Sequence, residues 1–269
     1  MIALITCGLG FGARLVWADE FNAPGKPDPS KWIYEIGFIR NKEPQLYCEE
    51  NVSVKDGFLV IEGRKEQKPN LNYDPTAPKD DWRKSWKMGE FTSGSIKTAT
   101  KHTWTYGKFE CRGKFGIESG LWPAFWMTGP TRAWPANGEI DIMEFYQGKY
   151  HANLAWGSKT PGVGKWNAKA TPIEEVAKLS GFPNAQAWAK EFHTYRLEWS
   201  KEVIAIYVDE MLLNFVDLST TVNESPDGKN PFHEPHHLIL NLAIGATGGD
   251  PSKLTWPQKF VVDWVRVYQ

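Results

Sequence analysis

Short apolar or alternating segments, separated by Gly, Pro, Asn and Asp, follow one another from Val16 to the end of this chain. Such segments are typical of strands in antiparallel sheets, because successive strand side chains point to opposite faces. Only residues 172–179 and 185–190 have a short helical pattern. The pattern predicts an all-β sandwich, in one domain over residues 16–269. The strand candidates are residues 52–54, 58–64, 91–98, 107–114, 124–128, 139–146, 150–156, 193–199, 203–208, 211–217, 237–244 and 259–268.

Charge and composition restrict the partners of the chain. The formal net charge is −1 and no long basic run is present, which argues against a nucleic acid or an anionic membrane surface. No apolar run reaches about 18 residues, so no membrane span is predicted. The 14 tryptophans exceed the usual needs of a core this size and leave indole rings to line a surface. We expect a neutral partner and a monomeric protein.

The amino-terminal residues predict a secreted protein. Residues 1–13 are apolar, lack acidic residues and resemble the hydrophobic part of a secretory signal without its basic start. We expect residues 1–15 to be a truncated signal or a remnant of cloning, and the protein to be extracellular, periplasmic or bound to the cell surface. Cys7 falls in this leader. For Cys48 and Cys111 two alternatives stay open, a disulfide or two separate buried thiols.

Three carboxylates alternate with large apolar residues in Glu-Ile-Asp-Ile-Met-Glu, from Glu139 to Glu144. In a regular strand Glu139 and Asp141 share one face, whereas Glu144 would point to the apolar side, where an unpaired carboxylate is costly. A β-bulge near Ile142 and Met143 would return Glu144 to the face of the other acids. The alternative is a solvated edge strand whose polar face is acidic.

Tryptophans close to these acids favour a functional interpretation. Trp122, Trp126 and Trp134 all precede Glu139 by fewer than 20 residues. Flat rings beside paired acids indicate sugar chemistry, because glycoside hydrolysis uses one carboxyl as proton donor and one as nucleophile or base. In retaining enzymes the two lie roughly 5 to 5.5 Å apart. The middle acid, Asp141, would raise the pKa of its neighbours by like-charge repulsion.

Other features indicate structure more than chemistry. His233, His236 and His237 lack the acid or Cys spacing of a metal site, and His193 opens an alternating strand. Residues 67–86 have no clean period and predict a long loop, which is often functional. The chain shows neither a Gly-rich phosphate loop nor a Gly-x-Ser-x-Gly nucleophile turn.

Several motifs occur in a fixed order along the chain. The middle ones are Tyr-Gly-Lys-Phe-Glu-Cys-Arg-Gly-Lys at 106–114, Gly-Leu-Trp-Pro-Ala-Phe-Trp-Met at 120–127 and Gly-Glu-Ile-Asp-Ile-Met-Glu at 138–144. They are preceded by Val-Trp-Ala-Asp-Glu-Phe-Asn at 16–22 and Arg-Asn-Lys-Glu-Pro-Gln-Leu-Tyr at 40–47. Residues 192–199, 238–245 and 261–269 complete the set. Together these motifs resemble glycoside hydrolase family 16, and within it the laminarinase-like endo-β-glucanases.

The resemblance implies a β-jelly roll of two curved antiparallel sheets, with an open concave cleft for a β-glucan polysaccharide. It implies endo cleavage with net retention, on β-1,3-glucan (laminarin), on mixed-linkage β-1,3-1,4-glucan, or on both. Glu139 would be the nucleophile, Glu144 the general acid and then base, and Asp141 the assisting carboxylate. No cofactor is implied for catalysis.

The resemblance also implies ligands. Asn41 would hydrogen-bond a glucose hydroxyl in the donor subsites, with Glu43 nearby. Trp122, Trp126 and Trp134 would line or support these subsites, Trp126 most directly, with core packing as the alternative for each.

Many members of the family hold one structural calcium ion on the convex side of the sandwich. In this chain Glu20, the carbonyl group of Gly57 and Asp263 fall in the matching motifs. The resemblance therefore implies a calcium site away from catalysis.

Two departures from the family pattern bear on the substrate. Ala155 stands where laminarinase-like enzymes usually carry a His, and residues 245–249 lack a Trp often found there. Together with the loop at 67–86, they keep open a strict mixed-linkage (lichenase-type) enzyme. A transglycosylase and a non-catalytic β-glucan-binding module are further alternatives, whereas galactans are disfavoured by the Asn41 motif.

Overall fold

The computed structural model describes residues 13–224 and 228–269, so Cys7 and most of the expected leader lie outside the described residues. Within these ranges the chain forms twenty strands and three α-helices. The strands are β1 Leu15–Asp19, β2 Ile33–Tyr34, β3 Gln45–Tyr47, β4 Val52–Lys55, β5 Phe58–Gly63, β6 Lys68–Pro69, β7 Met88–Gly89, β8 Phe91–Ser93, β9 Ser95–Lys97, β10 Gly107–Phe115, β11 Leu121–Thr128, β12 Glu139–Tyr146, β13 Lys149–Gly157, β14 Gly164–Asn167, β15 Ala170–Pro172, β16 His193–Trp199, β17 Val203–Val208, β18 Met211–Asp217, β19 His237–Ile244 and β20 Gln258–Tyr268. The helices are α1 Trp82–Ser85, α2 Ile173–Leu179 and α3 Ala185–Ala189.

Two eight-stranded sheets form the sandwich, and the strand pairs within each are antiparallel. The remaining strands form two small pairs, β3 with β8 and β6 with β7. The cleft sheet has the order β14-β13-β12-β11-β19-β9-β2, with β15 beside β13. The outer sheet has the order β18-β17-β16-β10-β20-β5-β4, with β1 beside β20. Strands distant in sequence are neighbours in both sheets, and the fold is the predicted β-jelly roll with an open concave cleft.

One apolar core fills the space between the sheets. In β10 every second residue is buried, which places Phe109 and Phe115 inward, and β11 contributes Phe125 and Met127 from the other side. This alternation is the strand period that the sequence predicts. It leaves the opposite face of β11 and β12 free to line the cleft.

The segment 67–86 is more ordered than the predicted loop. It contains β6 and α1, and the rings of Trp82 and Trp86 pack against Phe38 in a small apolar cluster of their own. Aromatic burial against a residue distant in sequence fixes this segment, and a local pattern does not reveal it. Strands β14 and β15 were likewise not predicted, whereas the helical patterns at 172–179 and 185–190 are confirmed by α2 and α3.

The two described cysteines are separate buried thiols. Cys111 lies in the main core and Cys48 in the small cluster around Phe38, and neither forms a disulfide. Of the two alternatives left open by the sequence, the structure therefore selects the unpaired one. Across the described ranges, no helix is long and apolar enough to cross a membrane.

Candidate active site

Strand β12 carries the three acids and contains the predicted bulge. In the pairing with β11, Met143 lies opposite Phe125 and Asp141 opposite Trp126, which leaves Ile142 as the extra residue. The same shift appears against β13. Because of this extra residue all three acids line the cleft, while the apolar side chains between them lie in the core.

A glycine fixes the entry into this strand. Gly138 has φ +78°, and a Cβ atom there would lie 2.9 Å from Nε2 of His236 and 2.9 Å from Cβ of Pro231. Its carbonyl oxygen accepts a hydrogen bond of 2.8 Å from Oγ1 of Thr128. A side chain at this position would therefore displace Glu139, which follows it directly.

Two indole groups orient the outer acids. Nε1 of Trp134 donates to Oε2 of Glu139 at 2.8 Å, and Nε1 of Trp122 donates to Oε1 of Glu144 at 2.8 Å. A neutral donor holds each carboxyl without cancelling its charge. Each indole occupies one oxygen of its carboxyl, and Asp141 is in hydrogen-bonding contact with both glutamates.

Asp141 is the most buried of the three acids, with 1 % of its surface exposed. Its carboxyl is in hydrogen-bonding contact with Asn153 and with Glu144. The side-chain oxygen of Asn153 accepts from the backbone N–H of Lys169 at 3.0 Å, so its NH2 group is the donor to Asp141. Asp141 is placed to hold the flanking acids in position and to share a proton with them.

Burial raises the pKa values of all three acids. The hydrogen bonds of Asp141 lower the pKa values of Glu139 and Glu144, which is opposite to the effect predicted for the middle acid. Burial raises the pKa of Glu139 to about 7, against the hydrogen bond from Trp134, which lowers it. Burial and the charge of Glu139 raise the pKa of Glu144 to about 8. Burial and both neighbours raise the pKa of Asp141 well above its ordinary value. Arg40 lowers the pKa of Glu139, whereas the charge of Glu139 raises that of Glu144, so the two carboxyls differ in the sense that an ionised and a protonated partner require.

On one side of the acids, the cleft ends at Asn41 and Glu43. Asn41 is exposed, and its side-chain Nδ2 donates to Oε1 of Glu43 at 3.1 Å. Glu43 is only 2 % exposed and also accepts from Gln45 at 2.7 Å and from Tyr47 at 3.3 Å. The structure thus presents Asn41 to the cleft and places Glu43 beneath it as a support.

A partly buried arginine beside Asn41 was not identified by the sequence analysis. Arg40 forms an ion pair with Glu35, and its guanidinium lies 5.1 Å from the ring centre of Trp126. Burial alone would raise the pKa of Glu35, but Arg40 and Lys97 outweigh it and lower that pKa to about 2. The positive charge of Arg40 also lowers the pKa of Glu139 and so favours its ionised form.

The cleft encloses about 570 Å³ and is lined by more residues than the sequence indicated. One of them, Asn241, had a signal in the sequence, since it is a lone amide in the apolar run of β19. In the structure its side-chain oxygen accepts a hydrogen bond from Nε1 of Trp126 at 2.8 Å. The others come from segments whose position depends on the tertiary fold. The lining residues that the prediction lacked include Arg40, Arg83, Tyr146, Asn153, Trp166 and Asn241.

The residues expected to hold calcium are engaged with arginines. Both carboxylate oxygens of Glu20 accept from Arg266, at 2.8 and 2.9 Å, and Asp263 pairs with Arg112. Among the described residues no group of three His, Cys, Asp or Glu side chains could hold a metal ion. These side chains do not fit a hard cation in this arrangement, since calcium takes 6–8 oxygen ligands. The calcium site stays a prediction.

A jelly-roll sandwich whose cleft floor holds three acids between indole rings defines a carbohydrate-active enzyme of the glycosidase class. The model of the family "Glycosyl hydrolases family 16" matches residues 64–266 of this chain. A beta-glucanase of Rhodothermus marinus is 34% identical over 274 residues, which cover 95% of this chain and 85% of that protein. The chain belongs to glycoside hydrolase family 16.

Solved structures of two kinds share the fold. SCLam, a non-specific endo-β-1,3(4)-glucanase, superimposes with a TM-score of 0.77 at 35% identity, over 97% of this chain and 93% of that chain. A second structure comes from work on endo-acting O-glycanases of the human gut microbiota that initiate mucin breakdown. It gives a TM-score of 0.85 at 33% identity, over 97% of this chain and 92% of the other.

Proposed function

We propose that this protein is an endo-acting, retaining β-glucan hydrolase that cleaves β-1,3-glucan, mixed-linkage β-1,3-1,4-glucan, or both. The observation that carries the proposal is the bulged strand β12, which presents Glu139, Asp141 and Glu144 together on the floor of an open cleft. The cleft is open enough for an internal bond of a long chain to reach these acids. The intact acids favour hydrolysis over a non-catalytic glucan-binding module.

The mechanism follows from the order of ionisation. The carboxylate of Glu139 attacks the anomeric carbon, while Glu144 gives its proton to the glycosidic oxygen and the bond between that carbon and oxygen breaks. Glu144, now ionised, takes a proton from water, whose oxygen displaces Glu139 from the anomeric carbon. Two displacements leave the configuration unchanged, and Asp141 holds Glu144 throughout.

Product analysis on several polymers tests the function. Reducing-end release would be measured on laminarin, barley mixed-linkage β-glucan and carboxymethyl cellulose, with the products separated by chromatography. Cleavage of laminarin and the mixed-linkage polymer supports the broad β-glucanase, and cleavage of the mixed-linkage polymer alone supports a lichenase-type enzyme. No release from any of the three contradicts the proposal.

The variant Glu139→Gln tests the nucleophile. We expect it to lose at least about 10⁴-fold in kcat, because a carboxamide cannot form the glycosyl-enzyme, and to retain polymer binding by affinity electrophoresis. Glu210→Gln is the matched control, since Glu210 is exposed and remote from the cleft. Turnover of Glu139→Gln at the wild-type rate would exclude Glu139 as nucleophile.

A second candidate is an endo-acting O-glycanase. It is favoured by the TM-score of 0.85 to the O-glycanase structure, against 0.77 to the glucanase SCLam. Ala155 and the segment at 245–249 depart from the laminarinase pattern, which weakens a strict laminarinase assignment. Release of oligosaccharides from mucin, without release from any β-glucan, would select this candidate and keep the same catalytic acids.

Two further proposals concern the protein as a whole. We propose that it is secreted, as its leader-like start suggests, and that it is monomeric. Fractionation of the native host and light scattering of the purified protein test these points. An intracellular location or a dimer would contradict them.

A further inference from the structure

Two half-exposed tryptophans lie together beside the nucleophile. Trp134 is 43% exposed and Trp166 is 46% exposed, with their ring centres 6.3 Å apart. Trp134 donates to Glu139, whereas Trp166 belongs to β14, which the sequence did not predict. Two adjacent half-exposed indole rings form an apolar patch of the kind that marks a ligand-binding groove.

Strand register locates Trp166 relative to the reaction. Glu139 pairs with Ala155 of β13, and Ala155 pairs with Trp166 of β14. These residues form one row across the cleft sheet. Because neighbouring strands lie about 4.8 Å apart, the backbone of Trp166 is roughly 10 Å from that of the nucleophile. That distance is the span of one to two sugar units of an extended chain.

The small side chain in the middle of this row matters. Ala155 is fully buried, so it offers no surface to a ligand. The exposed aromatic surface beyond Glu139 in this row is therefore the ring of Trp166, which lies beside Trp134 and lines the cleft with it. A larger residue at position 155, such as the His expected from the family pattern, would stand between the acid and the second ring.

The row of Glu139, Ala155 and Trp166 extends to one side of the acids only. The other end of the cleft lies across β11 and β19, where Arg40 stacks over Trp126 and Asn41 is presented. Trp166 is on the opposite side of the acids, on the edge strand of the same sheet. If the sugars before the cleaved bond occupy the Asn41 side, the sugars after it pass over Trp166.

We propose that Trp166 is the stacking platform of an acceptor subsite, where its ring takes the apolar face of a pyranose beyond the cleaved bond. This inference rests on the proposed function and on the donor position of Asn41. The same subsite would bind the sugar that competes with water for the glycosyl-enzyme. In that transfer the acceptor hydroxyl oxygen attacks the anomeric carbon, Glu144 takes its proton, and the carboxylate of Glu139 leaves.

Two substrates with the same donor sugars test the proposal. The first is the polymer that the wild-type enzyme cleaves, and the second is the matching disaccharyl fluoride, whose leaving group occupies no acceptor subsite. In Trp166→Ala we expect kcat/KM on the polymer to fall about tenfold, and at least fivefold more than on the fluoride. With an added acceptor oligosaccharide, the ratio of transfer to hydrolysis should fall as well.

Two variants serve as controls. Trp166→Phe should restore most of the polymer activity, because it keeps a flat ring. Lys165→Ala should behave as wild type, since Lys165 is the neighbouring exposed residue on the other face of β14 and pairs with Glu224.

Three outcomes are informative. An equal loss on polymer and fluoride would overturn the proposal, because it would mean that Trp166 acts only by holding Trp134 against Glu139. Polymer activity and transfer ratio at wild-type levels in Trp166→Ala would overturn it too. A wild-type enzyme that hydrolyses the fluoride but cleaves no polymer would contradict the proposed function itself.

Discussion

At the scale of single residues, two indole donors influence the ionisation of Glu139 and Glu144. Trp122 and Trp134 each hold one carboxyl at 2.8 Å, and each hydrogen bond stabilises the ionised form. The pKa values of about 7 for Glu139 and about 8 for Glu144 are therefore a balance between burial and these donors. A profile of kcat/KM against pH should rise as Glu139 ionises near pH 7 and fall as Glu144 ionises near pH 8.

Removing either donor should move one limb of this profile. In Trp122→Phe the pKa of Glu144 should rise, because its ionised form loses a hydrogen bond, so the alkaline limb moves up by roughly one pH unit. In Trp134→Phe the pKa of Glu139 should rise instead, and the acidic limb moves up. Each variant is the control for the other. A shift of the same limb in both variants would contradict the assignment of one donor to each acid.

At the scale of elements, the segment 67–86 contributes Arg83 to the lining of the cleft, near Asn41. Helix α1 is anchored by the rings of Trp82 and Trp86, and it carries Arg83 to the cleft. Nε of Arg83 donates to the backbone oxygen of Ile39 at 2.8 Å, which ties the segment to the chain just before Asn41. The segment predicted as a long loop therefore contributes a residue to the lining of the cleft.

The variant Arg83→Ala tests whether Arg83 contacts the sugar chain. We expect KM for the polymer to rise about three- to tenfold with a smaller change in kcat, because the contact binds ground state and transition state alike. Lys84→Ala is the matched control on the same helix, since Lys84 is exposed and its ion pair with Asp81 is 4.0 Å long. An unchanged KM and an unchanged product pattern in Arg83→Ala would contradict a contact with the sugar chain.

At the scale of the whole molecule, ion pairs connect neighbouring strands of the outer sheet, and one of them joins the two ends of the chain. Glu20, which follows β1, accepts two hydrogen bonds from Arg266 of β20, and Asp263 of the same strand pairs with Arg112 of β10. The acids that the family pattern assigns to calcium are thus neutralised within the protein. Their role in this arrangement is to fasten β1 and β10 to β20.

Thermal unfolding with and without calcium tests this arrangement. We expect Tm to stay within about 1 °C when calcium chloride or EDTA is added, because the carboxylates already have cationic partners. Glu20→Gln is the control, since it removes a carboxylate that either partner would need. A rise of several degrees in calcium that disappears in Glu20→Gln would establish the calcium site and show that the arginines give way to the ion.

The sequence by itself determined the sandwich, the bulge in β12 and the family, because strand alternation and the parity of Glu139, Asp141 and Glu144 are local properties of the chain. It also left the pairing of Cys48 and Cys111 open, since two thiols distant in sequence have no local signal.

Only the tertiary structure decided what surrounds the acids. Trp166 reaches them through the register of β14 on β13, and Arg40 through its ion pair with Glu35. Register and long-range packing depend on which strands become neighbours, and no short stretch of sequence contains that information. The three acids therefore come from one short segment of the sequence, whereas the shape of the cleft around them depends on how the strands pair in the assembled sheet.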